Sequence, residues 1–313
     1  MNRSGRGPVL VTGASSGIGG CVVRYLADRG HDVFGTVRND SDADTLREIP
    51  HVTPLRVDVT IPAQIEAAVV AVTDAGAGLY GLVNNAGVGG LGMLSTWDDA
   101  GLRHIFDVNV FGPHRMTNAF LPLLLASNGR IVTIGSRGGM LTKAYYGPYT
   151  MTKHAIEAYA ETLRDELAPY GVFASVIQPG GVPTGIAEAS RSGTLARFRR
   201  AKPPFVNEAS RACEMLAARR TESGGGEADA PDRRFSPPEG VAEAVYDALF
   251  AETPRLRYLV CTKSEGAELV DGLIDRLLDE NDSCALGHSR DDLVAILDRR
   301  LAARRDARGT GDG

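Results

Sequence analysis

Short apolar runs alternate with segments of helical periodicity from Val9 to Ile177. Val9-Leu10-Val11 is too short and too continuously apolar for an amphipathic helix and predicts a buried strand. A glycine-rich turn follows, then a helix from Ile18 to Asp28 that Gly30 ends. Asp32 to Val37 and Val52 to Val57 predict the second and third strands, with a helix from Pro62 to Thr73 behind them. Gly81-Leu82-Val83 reads as a fourth strand, Arg130 to Gly135 as a fifth and Val172 to Ile177 as a sixth. Leu102 to Leu125 predicts one long helix with a bend at Pro113 and an end near Pro122. From Tyr149 to Ala168, the residues Ala155, Ile156, Tyr159, Leu163 and Leu167 recur at helical spacing. Such alternation predicts an α/β fold built on a doubly wound parallel sheet. Right-handed crossovers then put the loops that follow the strands on one edge, where ligands bind.

Beyond Thr184 the pattern loosens. Residues 185–236 read as an insertion over that edge, with a helix from Glu208 to Arg220 and a loop from Thr221 to Asp232. Ser236-Pro237-Pro238-Glu239 predicts a capping box opening a helix to Phe250. Leu256 to Cys261 predicts a last strand. The expected division is 1–262 for the sheet domain and 263–313 for a helical extension of two amphipathic helices. One carries Leu269, Val270, Leu273, Ile274, Leu277 and Leu278, the other Leu293, Val294, Leu297 and Leu301.

Three stretches carry chemistry. Gly13-Ala14-Ser15-Ser16-Gly17-Ile18-Gly19 lies between a strand and a helix, where glycines admit a pyrophosphate and the helix N-terminus favours its charge. The spacing is G-x-x-x-G-x-G. An acid that would bind a ribose 2′-hydroxyl is expected at the end of the second strand. Arg38 stands there instead, and its guanidinium suits a 2′-phosphate, with Ser15 beside it. NADP(H) is therefore the preferred cofactor, and Asp40 and Asp42 keep NAD(H) open. Tyr149 and Lys153 are four residues apart on one helix face, and Ser136 lies a short loop upstream. A neighbouring ammonium is expected to lower the Tyr149 pKa. Among Tyr145, Tyr146 and Tyr149, only Tyr149 has Lys at the fourth following position.

Composition removes other classes. The 313 residues carry a net charge of −5 and 43% hydrophobic residues, which argues for a sizeable core and against a nucleic-acid partner held by charge. Cys21, Cys213, Cys261 and Cys284 are scattered, so neither a metal cluster nor a disulfide framework is expected. With no signal peptide and no apolar run of membrane-spanning length, the cytoplasm is the expected compartment.

Together these segments resemble the classical short-chain dehydrogenase/reductase family, from Thr12 to Thr184. The resemblance rests on Thr12-Gly13 with Gly17 and Gly19, Asp58-Val59, Asn84-Asn85-Ala86-Gly87, Asn109, Ser136, Tyr149 with Lys153, and Pro179-Gly180-Gly181-Val182-Pro183-Thr184. It implies a Rossmann-type fold and four catalytic residues, Asn109, Ser136, Tyr149 and Lys153. It implies that Asp58 and Val59 contact the adenine and that Asn85, Ala86 and Gly87 wall the nucleotide site. Asn109 would kink its helix and hold a water relaying protons to Lys153, which also bonds the nicotinamide ribose. Pro179, Gly180, Val182 and Thr184 would hold the nicotinamide end. It further implies a homodimer or homotetramer formed by the helices after the fourth and fifth strands. The expected partner is a small carbonyl or alcohol substrate.

Gly135-Ser136-Arg137-Gly138-Gly139 and Tyr146-Gly147-Pro148-Tyr149 are similar to the hydroxysteroid and retinol dehydrogenase branch. That implies a lipophilic substrate of steroid, retinoid or polyketide type. A generic carbonyl reductase, a sugar-nucleotide epimerase and a nucleotide-sensing regulator are the alternatives. His154, His104 and His114 are expected to be structural or surface residues, and Trp97 to pack or touch substrate.

Overall fold

The computed structural model describes residues 6–218, 236–283 and 287–309. The strands are β1 (Val9–Val11), β2 (Val33–Val37), β3 (Val52–Arg56), β4 (Gly81–Asn84), β5 (Arg130–Ile134), β6 (Phe173–Pro179) and β7 (Arg257–Val260). They form one parallel sheet in the order β3-β2-β1-β4-β5-β6-β7. The order reverses between β1 and β4, which pair Leu10 with Leu82. In such a sheet the crevice at the reversal is the ligand site.

Side chains alternate across each strand, so one strand feeds both layers. Val9 and Val11 join a core with Val22, Val23 and Leu26 of α1 (Gly17–Ala27) and Val241, Val245 and Leu249, while Ala43 and Leu46 come from α2 (Asp40–Arg47). Leu10 faces the opposite core. There it meets Ile65, Ala68 and Val72 of α3 (Pro62–Asp74), and beyond it lie Met116, Phe120 and Leu124. The polar α2 escapes apolar periodicity. Asn39 caps it by accepting from Asp42 N at 2.8 Å, and Asp40 and Asp42 suit its positive end.

The long helix is three segments. Regular turns of α4 (Asp99–Phe106) and α5 (Gly112–Ala126) flank a π-helical stretch over Asp107–Phe111. The bend thus comes from the π stretch, and α5 runs through Pro122. Then come α6 (Gly147–Leu167), α7 (Ile186–Ala189), α8 (Arg191–Arg199), α9 (Val206–Ala218) and α10 (Pro238–Phe250). The capping box expected at Ser236 does not form. Pro237 occupies the cap position with no side-chain bond, and Ser236 N instead donates to Gly181 O at 2.8 Å. The loop expected over 221–232 and Cys284 lie outside the described residues.

The chain divides into two compact units, Met1–Gly266 and Ala267–Gly313. The sheet and the residues considered below belong to the first. The second holds α12 (Arg290–Gly309) and most of α11 (Lys263–Ser283), on which Val270, Leu273, Ile274, Leu277 and Leu278 are exposed. No helix among the described residues is long and apolar enough to cross a membrane.

Candidate active site and nucleotide crevice

The crevice is pinned by Thr12. Its Oγ1 accepts from Asn85 N and Ala86 N, both at 2.9 Å, and donates to Val83 O at 3.3 Å. Asn85 Nδ2 returns to Thr12 O at 2.8 Å and Gly13 O at 3.0 Å. This closeness dictates the glycines. A Cβ on Gly19 would stand 2.2 Å from Gly13 O and 2.3 Å from Asn85 Nδ2, and Gly13 needs φ +65°. A Cβ on Gly17 would meet Thr184 at 3.3 Å, so Thr184 leans over the same turn.

The turn fits a pyrophosphate. Ser16, at the N-cap of α1, makes no side-chain cap bond, and no acid lies in the first turn. The positive end of the helix is left for an anion. Ser15 and Ser16 are exposed there, while Ile18 packs inward. Arg38 is exposed at the end of β2. The nearby acids have partners of their own: Arg56 Nη1 bonds Asp40 at 3.0 and 3.1 Å, and Asn39 Nδ2 bonds Asp42 at 3.0 Å. Burial pushes the Asp58 carboxyl up, but the Thr60 hydroxyl and amide, with Arg38 and His104, hold it below its ordinary range. Val59 is buried against Gly112 of α5, and its carbonyl accepts from Arg115 Nη1 at 3.3 Å.

The π stretch aims Asn109 inward, where it is 2% exposed. A π-bulge re-aims one side chain and is common at functional sites. Asn109 Oδ1 accepts from Val88 N at 2.8 Å, and its Nδ2 donates to Val88 O at 2.9 Å and Thr152 Oγ1 at 3.2 Å. It therefore ties the loop after Gly87 to the residue preceding Lys153.

Ser136 Oγ accepts from Gly138 N at 3.0 Å, and its hydroxyl acts on the Tyr149 phenol, pulling its pKa down. Lys153 Nζ lies 5.7 Å from the Tyr149 ring centre and donates to Ile134 O at 2.7 Å. The spacing of Tyr149 and Lys153 thus brings both residues together with Ser136. The expected direction for Tyr149 is overturned. Burial raises its pKa, and the Ser136 hydroxyl only partly opposes this. Burial lowers Lys153 from 10.5 to about 8 against the pull of the Glu157 carboxylate. Sequence spacing gives a shared face, but depth decides the sign.

Glu157 was not among the expected residues, although it follows Lys153 at helical spacing. It is buried, accepting from Gln178 Nε2 and Arg257 Nε, both at 2.9 Å. Pro179 ends β6, and Gly180 N donates to Val260 O at 2.8 Å. Val182 packs against the α1 core. Tyr145 bonds Glu208 at 2.6 Å and packs on Phe198, while His154 Nδ1 donates to Thr150 O at 2.8 Å. Trp97 packs under the Arg197 guanidinium at 4.0 Å.

Residues 8–194 match the short chain dehydrogenase family, so the chain belongs to the short-chain dehydrogenases. It is accordingly an NAD(P)-dependent oxidoreductase interconverting carbonyl and alcohol groups. It is 33% identical over 281 residues to an NADPH-dependent 3-dehydrocapnine reductase of Ornithobacterium rhinotracheale, covering 87% of this chain and 94% of that one. A short chain dehydrogenase/reductase of Burkholderia phymatum, solved with NAD, superposes with TM-score 0.68 at 29% identity, covering 89% of this chain and 95% of its own. An actinorhodin polyketide ketoreductase variant, solved with NADPH, gives TM-score 0.68 at 28% identity and covers 84% of this chain and 98% of its own.

Replacing Thr12 by the isosteric Val leaves two half-buried amides without an acceptor. Chemical denaturation of Thr12→Val should show a loss of about 2–4 kcal/mol, and Thr12→Ser should lose less than half of that.

Proposed function

We propose that this oxidoreductase uses NADP(H) and reduces or forms a lipophilic ketone or alcohol of steroid, retinoid or polyketide type. Ser136, Tyr149, Lys153 and Asn109 are its catalytic residues. The observation that carries the reading is the buried Lys153, whose Nζ lies 5.7 Å from the Tyr149 ring centre on the helix that faces Ser136. Ser136 and Tyr149 hold the carbonyl oxygen. Burial keeps the phenol protonated until the oxygen gains charge, and the proton then passes to it. Lys153 returns the proton, with the Asn109 segment as the route toward solvent. The nicotinamide cofactor supplies or accepts the hydride.

Arg38 supports the 2′-phosphate, since Asp40 is paired with Arg56. Ser15 and Ser16, with Gly13, Gly17 and Gly19, hold the pyrophosphate side. Asp58 and Val59 hold the adenine. Asn85, Ala86 and Gly87 form the wall, and Pro179, Gly180, Val182 and Thr184 form the nicotinamide end. Support for an apolar substrate comes from the cluster of Met93, Phe198, Ala209 and Ala212 with Leu91 and Tyr145. NAD(H) is the second reading, favoured by the NAD complex of the Burkholderia relative. Assembly as a dimer or tetramer draws support from exposed Phe111, Leu125 and Met151 on the segments after β4 and β5.

Tyr149→Phe should lower NADPH-dependent kcat/KM on a ketone panel by about 10²- to 10⁴-fold, with NADPH binding by calorimetry nearly unchanged. Full retention of reduction would sink the mechanism and favour a sensing role. Arg38→Asp should weaken NADPH by about ten- to a hundredfold and leave NADH little changed; equal effects would remove Arg38 from the 2′-phosphate.

The pH profile tests Lys153. Reduction needs its ammonium, so activity should decline as pH rises through about 8. The Glu157 carboxylate raises that pKa, so Glu157→Gln should move the decline to lower pH. An unmoved or alkaline-shifted limb would detach Lys153 from the profile.

A further inference from the structure

Thr262-Lys263-Ser264-Glu265 closes the first turn of α11 as a capping box. Thr262 Oγ1 accepts from Glu265 N at 3.3 Å, and Glu265 Oε2 accepts from Thr262 N at 3.0 Å. A capping box needs only a glutamate facing its own helix end. This one reaches further. Glu265 Oε1 accepts from Gly181 N at 2.8 Å, and Arg137 Nε lies 3.5 Å from the same oxygen. The carboxylate side chain is 12% exposed. Gly180 is shaped around it, because a Cβ there would stand 2.3 Å from Glu265 Oε2 and 2.9 Å from Cys261 Cβ.

Arg137 follows Ser136, and Gly181 sits in the turn from Pro179 to Val182. One carboxylate therefore spans the serine loop and that turn. The rest of the turn is tied by backbone alone, with Gly180 N on Val260 O and Ser236 N on Gly181 O. Charge-assisted bonds from a backbone amide to a carboxylate are stronger than these neutral ones.

We infer that Glu265 is a positioning residue that fixes the Pro179–Val182 turn against the Ser136 loop and thereby sets the affinity for the nicotinamide half of the cofactor. The inference rests on the cofactor reading above. Its test compares a whole cofactor with the fragment that lacks nicotinamide. NADPH with 2′-phospho-ADP-ribose, and NADH with ADP-ribose, are titrated by calorimetry into the full chain and into Glu265→Ala, Glu265→Gln and Arg137→Gln.

Glu265→Ala should raise the Kd of the preferred dinucleotide about tenfold while its fragment binds within twofold of the unsubstituted protein. Glu265→Gln keeps an oxygen for Gly181 N and should recover most of that loss. Arg137→Gln leaves the helix cap intact, so it reports even if Glu265→Ala unfolds, and should weaken the dinucleotide about threefold and the fragment not at all. Equal weakening of dinucleotide and fragment, or of neither, overturns the assignment alone. Failure of every ligand to bind the unsubstituted protein overturns the cofactor reading and the assignment with it.

Discussion

The site hangs on the hydroxyl of Thr12, a single buried oxygen that satisfies two amides across the point where strand order reverses. The ladder between β1 and β4 runs out at Thr12 N on Val83 O, and the Thr12 hydroxyl carries the pairing on into the loop beyond. The constraint propagates. Asn85 and Ala86 fix the start of the loop, Val88 in that loop is gripped on both backbone groups by Asn109, and Asn109 reaches Thr152 beside Lys153. The glycine turn and the helix that carries Tyr149 and Lys153 are thus linked through one series of hydrogen bonds. Thr12, Asn109 and Thr152 at its nodes are buried, so a link broken there would strand a polar group at a cost of about 1–3 kcal/mol. That asymmetry keeps the geometry rigid without a large apolar contact in the crevice.

Burial moves the two titrating residues of the site in opposite directions. The Tyr149 phenol is raised and the Lys153 ammonium is lowered to about 8, so both are biased toward their neutral forms. A neutral phenol is a proton donor, and an amine near neutrality can both give and take. Glu157 opposes the second shift and is itself held by Gln178 and Arg257, so the balance is set by residues of α6, β6 and β7 together. The carboxylate cannot swing toward the ammonium without abandoning two 2.9 Å bonds. It acts through space, as a fixed field.

Much of this was legible in the chain because local constraints wrote it. The turn at Gly13 to Gly19 has no room for side chains, the strands are short continuous apolar runs, and Tyr149 and Lys153 need one helical turn. What was not legible depends on depth or on residues far apart in sequence. The sign of the Tyr149 shift needs burial. The Glu265 bond to Gly181 spans 84 positions. Ser236 lost its capping role because its amide is used by Gly181 O, a competitor that no local window contains. Helix α2 was missed for another reason: its stability comes from an asparagine cap and first-turn acids, with only Ala43 and Leu46 buried.

The segment of α8 and α9 is built separately from the two layers of the sheet. Phe198 of α8 and Ala209 and Ala212 of α9 bury themselves with Met93, apart from both layers of the sheet. Its edges are polar clasps: Tyr145 to Glu208, Arg197 over Trp97 with Nε on Leu91 O, and Arg200 to Asp98. Tyr145 adopts φ 71° to reach its partner, a left-handed conformation that a tyrosine rarely takes. This small core meets the Thr12 chain through one loop, in which Val88 is held by Asn109 and Leu91 by Thr194 and Arg197. Changes in its lining therefore reach the crevice through backbone, not through a shared side-chain core. The glycine turn and the sheet are spelled plainly because local constraints write them, whereas this second core joins Met93, Phe198 and Ala212, residues far apart in sequence.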